Sequence, residues 1–240
     1  GFALPINMVR GVIDQLRQTG EVRRGFIGIS MDPNGVDATA QEWYGLPDTN
    51  GVIVESVTPG GPADEAGLRK NDVIRKVDGE IVKDNLDMIG KISSRAPGDK
   101  VSLEVFRNGR LLNLRAELVA RRRGLEETTR EGNRFRDEDS SVEQESTDLG
   151  ITVGGLTPLI LRRLDLDPEQ RGVVVIEVEF DSEAADKGLG PNMLVTGIND
   201  EPLDGISDWI EKFEAFDPGA VVKLNVLAGQ RTFSIYLRVP

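Results

Sequence analysis

The sequence predicts an α+β protein with two similar small domains, each a short, partly open β-barrel or sandwich of about six strands and two main helices. The chain has 240 residues, which suits two domains of about 100 residues each. Its 27 glycines and 12 prolines favour many turns between short strands. One order of strands and helices also occurs twice, on either side of a charged segment.

A helix is expected before the first domain. Apolar residues recur at helical spacing from Met8 onwards, Asn7 precedes them as a cap, and Gly20 ends the run. We therefore predict a packing helix over Met8–Thr19. The chain begins at Gly1 without Met or a signal peptide, so we expect it to come from a longer protein.

The first domain is predicted over residues 25–120. Its expected strands are Phe26–Met31, Val52–Val57, Asp72–Val77, Val101–Arg107 and Leu111–Val119. Its expected helices are Ala38–Tyr44, Pro62–Ala66 and Asn85–Ser94. Tight turns are expected at Asp78-Gly79 and Asn108-Gly109, and the second of these makes a hairpin of the last two strands.

Residues 121–147 differ in character from both domains. They are rich in charge and poor in apolar residues, so they cannot bury enough surface to offset the entropy of ordering. We predict a flexible charged linker here. A basic docking motif at Arg121–Arg123 is the alternative.

The second domain is predicted over residues 148–240. Its expected strands are Leu149–Val153, Gly172–Glu179, Met193–Ile198, Val221–Leu227 and Thr232–Arg238. Its expected helices are Pro158–Leu164, Ser182–Lys187 and Ile206–Phe216.

Charge and missing residue types exclude several functions. The net charge is −12, and residues 148–240 alone hold 16 acidic and 8 basic residues, so nucleic acid is not an expected partner. The sequence has no cysteine and no histidine, which excludes disulfides, thiol catalysis and a Ser-His-Asp triad. We predict no catalytic residue, metal or cofactor. No apolar run reaches the ~20 residues that a membrane span needs.

An ordered set of motifs identifies the first domain. The set comprises GVIVESV at Gly51–Val57, PADEAGL at Pro62–Leu68, NDVI at Asn71–Ile74 and VDG at Val77–Gly79. Together they resemble the PDZ domains of bacterial proteases. The one departure is Asn71, where the family has glycine. Asparagine tolerates positive φ, so we expect the turn to be kept.

The second half and the start of the chain extend this resemblance. The second half has EAADKGL at Glu183–Leu189, NMLV at Asn192–Val195 and IND at Ile198–Asp200, which resemble a diverged second PDZ domain. Residues 1–24 resemble the junction of HtrA/Deg serine proteases, where a chymotrypsin-like protease domain leads through a helix to the first PDZ domain. The protease nucleophile motif of that family would precede Gly1. The resemblance therefore implies tandem PDZ domains of an HtrA/Deg endoprotease.

The resemblance also implies a peptide-binding site in the first domain. A PDZ loop binds a carboxylate through consecutive backbone N–H groups, and the peptide adds as a strand beside the sheet edge. The matching loop residues are Phe26, Ile27, Gly28 and Ile29, with Arg24 just before them. On the helix, Asn85 and Ile89 should face the groove. The alternatives are that Arg24 is a solvated surface residue, that Gly28 forms a strand bulge, and that Ile89 lies in the core.

In the second domain the same loop falls on Leu149, Gly150 and Ile151. The resemblance places Ile206 and Ile210 toward the groove, with Trp209 and Phe213 toward the core. Ser146, Thr147 and Asp148 precede this loop, so it has a nearby acid and no arginine. Negative charge opposes carboxylate binding, so we expect this groove to bind weakly or to serve assembly.

The implied function is substrate recognition and regulation for a protease of the periplasm or cell envelope that acts in protein quality control under stress. The implied partners are C-terminal or extended segments of unfolded proteins, the protease domain, and neighbouring subunits, since the family often forms trimer-based oligomers. An assembly module that contacts only neighbouring subunits is the alternative, and size measurements at several concentrations distinguish it from a peptide receptor. A catalytic role for the chain itself is disfavoured by the missing histidine. Intramembrane proteases also carry tandem PDZ domains, but the Gly1–Pro5 junction does not fit them.

Overall fold

The structure is a computed structural model that describes residues 24–120, 144–147 and 149–240. The predicted helix Met8–Thr19, the first 23 residues of the predicted linker and Asp148 lie outside the described residues. The chain forms two compact units. Of the described residues, 24–36 and 48–120 belong to the first unit, and 37–47, 144–147 and 149–240 belong to the second.

Short strands dominate the first half of the described chain, as the sequence predicts. The strands are β1 (Gly25–Phe26), β2 (Ile29–Met31), β3 (Val52–Val57), β4 (Val73–Val77), β5 (Glu80–Ile81), β6 (Lys100–Arg107), β7 (Arg110–Glu117) and β8 (Val119–Ala120). The helices are α1 (Ala38–Tyr44), α2 (Pro62–Glu65) and α3 (Asn85–Ser93). The helix α1 and the strand β3 have the predicted bounds.

The sheet of the first unit is antiparallel and has the strand order β2-β3-β4-β6-β7, with β5 beside β4 and a separate β1-β8 pair. Two-residue turns with positive φ join its hairpins, as predicted. The φ angles are 51° and 83° at Asp78-Gly79, and 48° and 76° at Asn108-Gly109. Asn71 has a φ of 69°, which confirms that asparagine keeps the turn where the family has glycine.

The second unit repeats this plan. Its strands are β9 (Gln144–Thr147), β10 (Ile151–Gly155), β11 (Val173–Val178), β12 (Leu194–Ile198), β13 (Glu201–Pro202), β14 (Val221–Ala228) and β15 (Arg231–Arg238). Its later helices are α4 (Pro158–Arg163), α5 (Glu183–Asp186) and α6 (Ile206–Glu214). The strand order is β15-β14-β12-β11-β10-β9, with β13 beside β12. In the described residues, the sheets of both units stay open.

The strand β9 differs from the sequence prediction, which assigned residues 121–147 to a linker. Residues 144–147 instead pair antiparallel with β10, with Thr147 opposite Ile151 and Gln144 opposite Gly154. The strand carries no apolar residue, so the alternation that normally indicates a strand is missing. Backbone pairing and a turn create this element.

Residues 37–47 also differ from the predicted domain bounds, because they group with the second unit. Here α1 packs on β15. The hydroxyls of Tyr44 and Tyr236 lie 2.9 Å apart, and Arg238 forms an ion pair with Glu42. Asp37 caps the helix by accepting a hydrogen bond from the Ala40 N–H at 2.7 Å. The sequence predicts this helix but not where it packs.

Each unit has its own hydrophobic core. In the first, β-branched residues of β3 and β4 pack with the buried face of α3, which carries Met88 and Ile92. In the second, the inner faces of β10, β11, β12, β14 and β15 surround the fully buried Trp209 of α6. Helices α3 and α6 therefore each pack one apolar face on a sheet, and the opposite face of each helix points away from the core.

Candidate functional site

The loop between β1 and β2 is fixed from inside the first unit. The side chain of Ile27 is buried in the core. Its carbonyl accepts a hydrogen bond from the Ala63 N–H at 2.9 Å, and the Gly28 carbonyl accepts one from the Thr58 N–H at 2.9 Å. Within a trans peptide the C=O and the next N–H point in opposite directions. The N–H groups of Gly28 and Ile29 therefore point away from these inner partners.

The backbone conformation at the centre of this loop favours glycine. Gly28 has a φ of 83°, and a Cβ built there would lie 3.4 Å from the Thr58 Cβ. Among the described residues, no backbone carbonyl accepts a hydrogen bond from the N–H of Ile27 or Gly28. The loop thus presents available donors of the kind that bind an anion.

Strand β2, which leaves this loop, lies at the edge of its sheet. Among the described residues it pairs with β3 alone, with Ile29 opposite Val57. The opposite edge of β2 therefore offers N–H and C=O groups to another extended segment. A peptide running antiparallel to β2 would place its carboxyl end at the Gly28 loop.

Helix α3 provides apolar side chains that do not enter the core. Met88 and Ile92 are buried, whereas Ile89 is 51% exposed and Leu86 is 80% exposed. The exposure of Ile89 argues against the alternative that placed it in the core. Its role in binding peptide stays a prediction.

Two hydrogen bonds hold α3 beside the strand segment. At its start, the Asn85 side-chain amide donates to the Asp32 carbonyl, just past β2, at 2.7 Å. Past its end, the Arg95 carbonyl accepts from the Gly25 N–H at 2.9 Å. The helix therefore runs antiparallel to residues 25–32. We call the space between them the first groove.

The remaining predicted residues flank the loop. Arg24 is exposed just before β1, and Phe26 is half-buried in β1, opposite Val119 of β8. The Phe26 ring lies 3.7 Å from a Cβ built at Gly28. The contact of Arg24 with a bound carboxylate stays a prediction.

Comparisons with known proteins agree with this geometry. Residues 25–118 match the family model described as PDZ domain. The chain is 33% identical over 209 residues to a probable periplasmic DegP-like serine endoprotease of Chlamydia pneumoniae, which covers 87% of this chain. The corresponding Brucella suis protein is 31% identical over 207 residues and covers 86%. The chain belongs to the PDZ region of the HtrA/DegP family.

The chain spans 39% and 37% of the length of these two relatives. Their names place them in the periplasm, as the sequence predicts for this chain. None of the described helices is long and apolar enough to cross a membrane. Among solved structures, the HtrA-type protease AlgW with decapeptide is 33% identical, with a TM-score of 0.43. It covers 51% of this chain, and the chain covers 37% of it.

In the second PDZ domain the matching loop has a similar backbone. Gly150 has a φ of 69°, and its carbonyl accepts a hydrogen bond from the Glu179 N–H at 2.8 Å. Leu149 is buried. The Gly150 N–H, however, donates to the Thr147 carbonyl at 3.0 Å. The edge of β10 is paired with β9, so this loop and this strand already have partners within the chain.

Helix α6 places one predicted groove residue differently. Ile206 is only 8% exposed and belongs to the core, although the sequence placed it toward the groove. The equivalent first residue of α3 is the polar Asn85, which bonds to backbone instead. Trp209 is buried as predicted, and Ile210 and Phe213 are partly buried against the core.

A cavity of about 300 Å³ lies between α6 and β9. Apolar side chains from several elements line much of it: Leu149, Ile210, Phe213, Phe216 and Val239. Glu145, Ser146 and Thr147 of β9 close one side. The sequence did not predict this wall. The available signal was Gly150 at the end of a three-residue hairpin loop, a position that prefers glycine with positive φ.

Proposed function

We propose that the first PDZ domain binds the carboxyl-terminal or extended segments of unfolded polypeptides on behalf of a DegP-like serine endoprotease. The observation that carries this proposal is the pair of N–H groups of Gly28 and Ile29. Both point away from the core at the end of the open strand β2, beside the exposed Ile89. Arg24 adds positive charge next to this loop.

The physical terms favour modest affinity. Each charge-assisted hydrogen bond to a bound carboxylate contributes roughly 1.5–3 kcal/mol. Burial of one apolar ligand side chain against Ile89 contributes roughly 1.5–3 kcal/mol more. Ordering a flexible peptide offsets much of this gain, so we expect dissociation constants on the order of micromolar.

We assign no hydrolytic role to the chain itself. It contains no histidine, so it cannot form a Ser-His-Asp triad. Cleavage would belong to a protease domain of the kind that the relatives' names imply. The first domain, proposed over residues 25–120, would supply that domain with substrate, and neighbouring subunits would be further partners.

The test is titration of labelled ten-residue peptides that end in Val, Leu, Phe or Ala, each as the free acid and as the amide. Amidation removes the carboxylate charge, so it should weaken binding at least tenfold. Ile89→Asp should weaken binding of the free acid to a similar extent, because it puts a charge in the apolar wall. Leu111→Asp is the matched control, since Leu111 is also exposed and lies on β7, at the far edge of the sheet. Equal affinity for acid and amide would contradict recognition of the carboxylate by the Gly28 loop.

A further inference from the structure

The strand β9 occupies the edge of the second PDZ domain that corresponds to the open edge of β2. It runs antiparallel to β10 over four residue pairs, from Gln144-Gly154 to Thr147-Ile151. Its carboxyl end lies next to the Gly150 loop. This is the direction proposed above for a peptide in the first groove. The backbone of β9 therefore occupies the position of a peptide ligand.

The loop contacts extend this correspondence to the carboxylate site. In both domains the loop glycine accepts a hydrogen bond at its carbonyl, from Thr58 at 2.9 Å in the first and from Glu179 at 2.8 Å in the second. In the second domain the Gly150 N–H donates to the Thr147 carbonyl at 3.0 Å. A neutral backbone oxygen thus takes the place of a ligand carboxylate oxygen.

The side chains of β9 leave the apolar part of the site unfilled. The Thr147 hydroxyl donates to the Ile151 carbonyl at 3.2 Å, and the hydroxyls of Ser146 and Thr152 lie 3.3 Å apart. None of these groups fills the cavity of about 300 Å³ beside Ile210 and Phe213. The strand provides backbone pairing without burying an apolar side chain.

We infer that β9 is an internal competitor for the second groove, so that an outside peptide binds there only after β9 leaves. The segment is short, polar and mostly exposed, so pairing with β10 is what holds it. An incoming peptide with a free carboxylate and an apolar last residue provides the same strand pairing, a charged acceptor and a side chain for the cavity. This inference rests on the groove mechanism proposed for the first domain.

The test uses the whole chain and the double variant Glu145→Pro with Ser146→Pro. Proline has no N–H. Neighbouring residues of a strand point their N–H groups to opposite sides, so the double variant removes the donor to β10 whichever of the two residues provides it. The matched control, Glu145→Ala with Ser146→Ala, keeps both N–H groups and should behave as the wild type. Amide hydrogen exchange of Gly150 and of the β10 residues whose N–H groups face β9 should be at least tenfold faster in the proline variant than in the wild type, with β14 unchanged. Equal exchange rates in the proline variant and the wild type would contradict the inference that β9 occupies the edge of β10.

The second measurement is peptide binding with Ile89→Asp present in every chain, so that the first groove is disabled. The probe is the pooled free-acid peptides described above, and the Gly150 amide signal reports binding to the second domain. The proline variant should bind at least tenfold more tightly than the wild type. Equal binding, including none in either chain, would overturn the competitor role. Amide exchange needs no peptide, so its outcome is independent of the function proposed for the first domain.

Discussion

At the residue scale, two glycines show how neighbouring groups decide whether one backbone geometry is available for binding. Gly28 and Gly150 both have positive φ, and both carbonyls accept an internal hydrogen bond. They differ in their N–H groups, because the Thr147 carbonyl accepts from Gly150 and no described backbone carbonyl accepts from Gly28. Binding capacity at this position therefore depends on the chain that precedes the loop.

Gly28→Ala should impair peptide binding beyond its effect on stability. An L-residue at a φ of 83° costs about 1–2 kcal/mol, and the loop can relieve this strain by shifting its N–H groups away from the groove. Gly35→Ala is the control, since Gly35 has a φ of 67° and no atom within 4 Å of a built Cβ. Both variants should lose about 1 kcal/mol in thermal unfolding. In peptide titration only Gly28→Ala should lose tenfold or more in affinity, and equal affinities of the two variants would contradict this.

The buried carboxylate of Asp72 makes Arg107 important for the stability of the first domain. The guanidinium donates to both carboxylate oxygens, at 2.6 and 2.7 Å, and this hydrogen bonding raises the pKa of Arg107 above its ordinary value. Arg107→Ala would leave a fully buried charge with the Arg69 N–H as a remaining partner. The expected loss is about 3 kcal/mol in urea unfolding followed by circular dichroism.

The control for Arg107 is Lys100→Ala. Lys100 pairs with Glu117 at 3.6 Å, and both side chains are largely exposed. Such surface pairs contribute about 0–1 kcal/mol. A similar loss of stability in both variants would show that burial of Asp72 does not determine the effect.

At the scale of elements, the sequence predicts those that bury an apolar face and misses those that form through backbone pairing alone. The bounds of α1 and β3 follow from the residues that flank them, with Gly45 after the helix and Gly51 before the β-branched strand. The strand β9 has no such pattern, so it reads as linker. Ile206 shows a second limit, because helical periodicity alone does not specify which apolar residue lies at the rim of the core.

The position of α3 should depend on Asn85. Its side-chain bond to the Asp32 carbonyl is neutral and contributes about 0.5–1.5 kcal/mol. Asn85→Ala introduces a good helix former but removes the bond that fixes the start of α3 beside the first groove. Affinity for a free-acid peptide should therefore fall roughly 2–10-fold. Helix content by circular dichroism should stay unchanged. Ser94→Ala, at the exposed end of the helix, is the control, and matching affinities in the two variants would exclude an anchoring role.

At the scale of the whole molecule, the two units can be measured separately. The chain has two tryptophans, Trp43 and Trp209, and both lie in the second unit. Tryptophan fluorescence therefore follows unfolding of the second unit. That unit also contains most of the excess acidic residues, with 16 acidic and 8 basic residues over 148–240. Its stability should therefore respond strongly to acid.

Glu183 is the residue through which we expect part of this response. Burial raises the pKa of Glu183, but hydrogen bonds from the Arg238 N–H and from Lys187 outweigh it and hold the pKa below the ordinary value of 4.5. A carboxylate with a lowered folded-state pKa stabilises the protein above its unfolded pKa, and this contribution disappears as the pH falls through the folded value. The second unit should therefore lose stability below about pH 4.5.

Glu183→Gln removes this titration while keeping the size of the side chain. The variant should be less stable than the wild type at pH 7, because Lys187 and Arg238 lose a charged acceptor. The difference should shrink as the pH falls below about 4.5, since the carboxylate is then protonated in the unfolded wild-type chain while the folded protein still holds it charged. The measurement is urea unfolding followed by tryptophan fluorescence at several pH values. A difference that stays constant down to pH 3 would show that Glu183 does not contribute to the acid response.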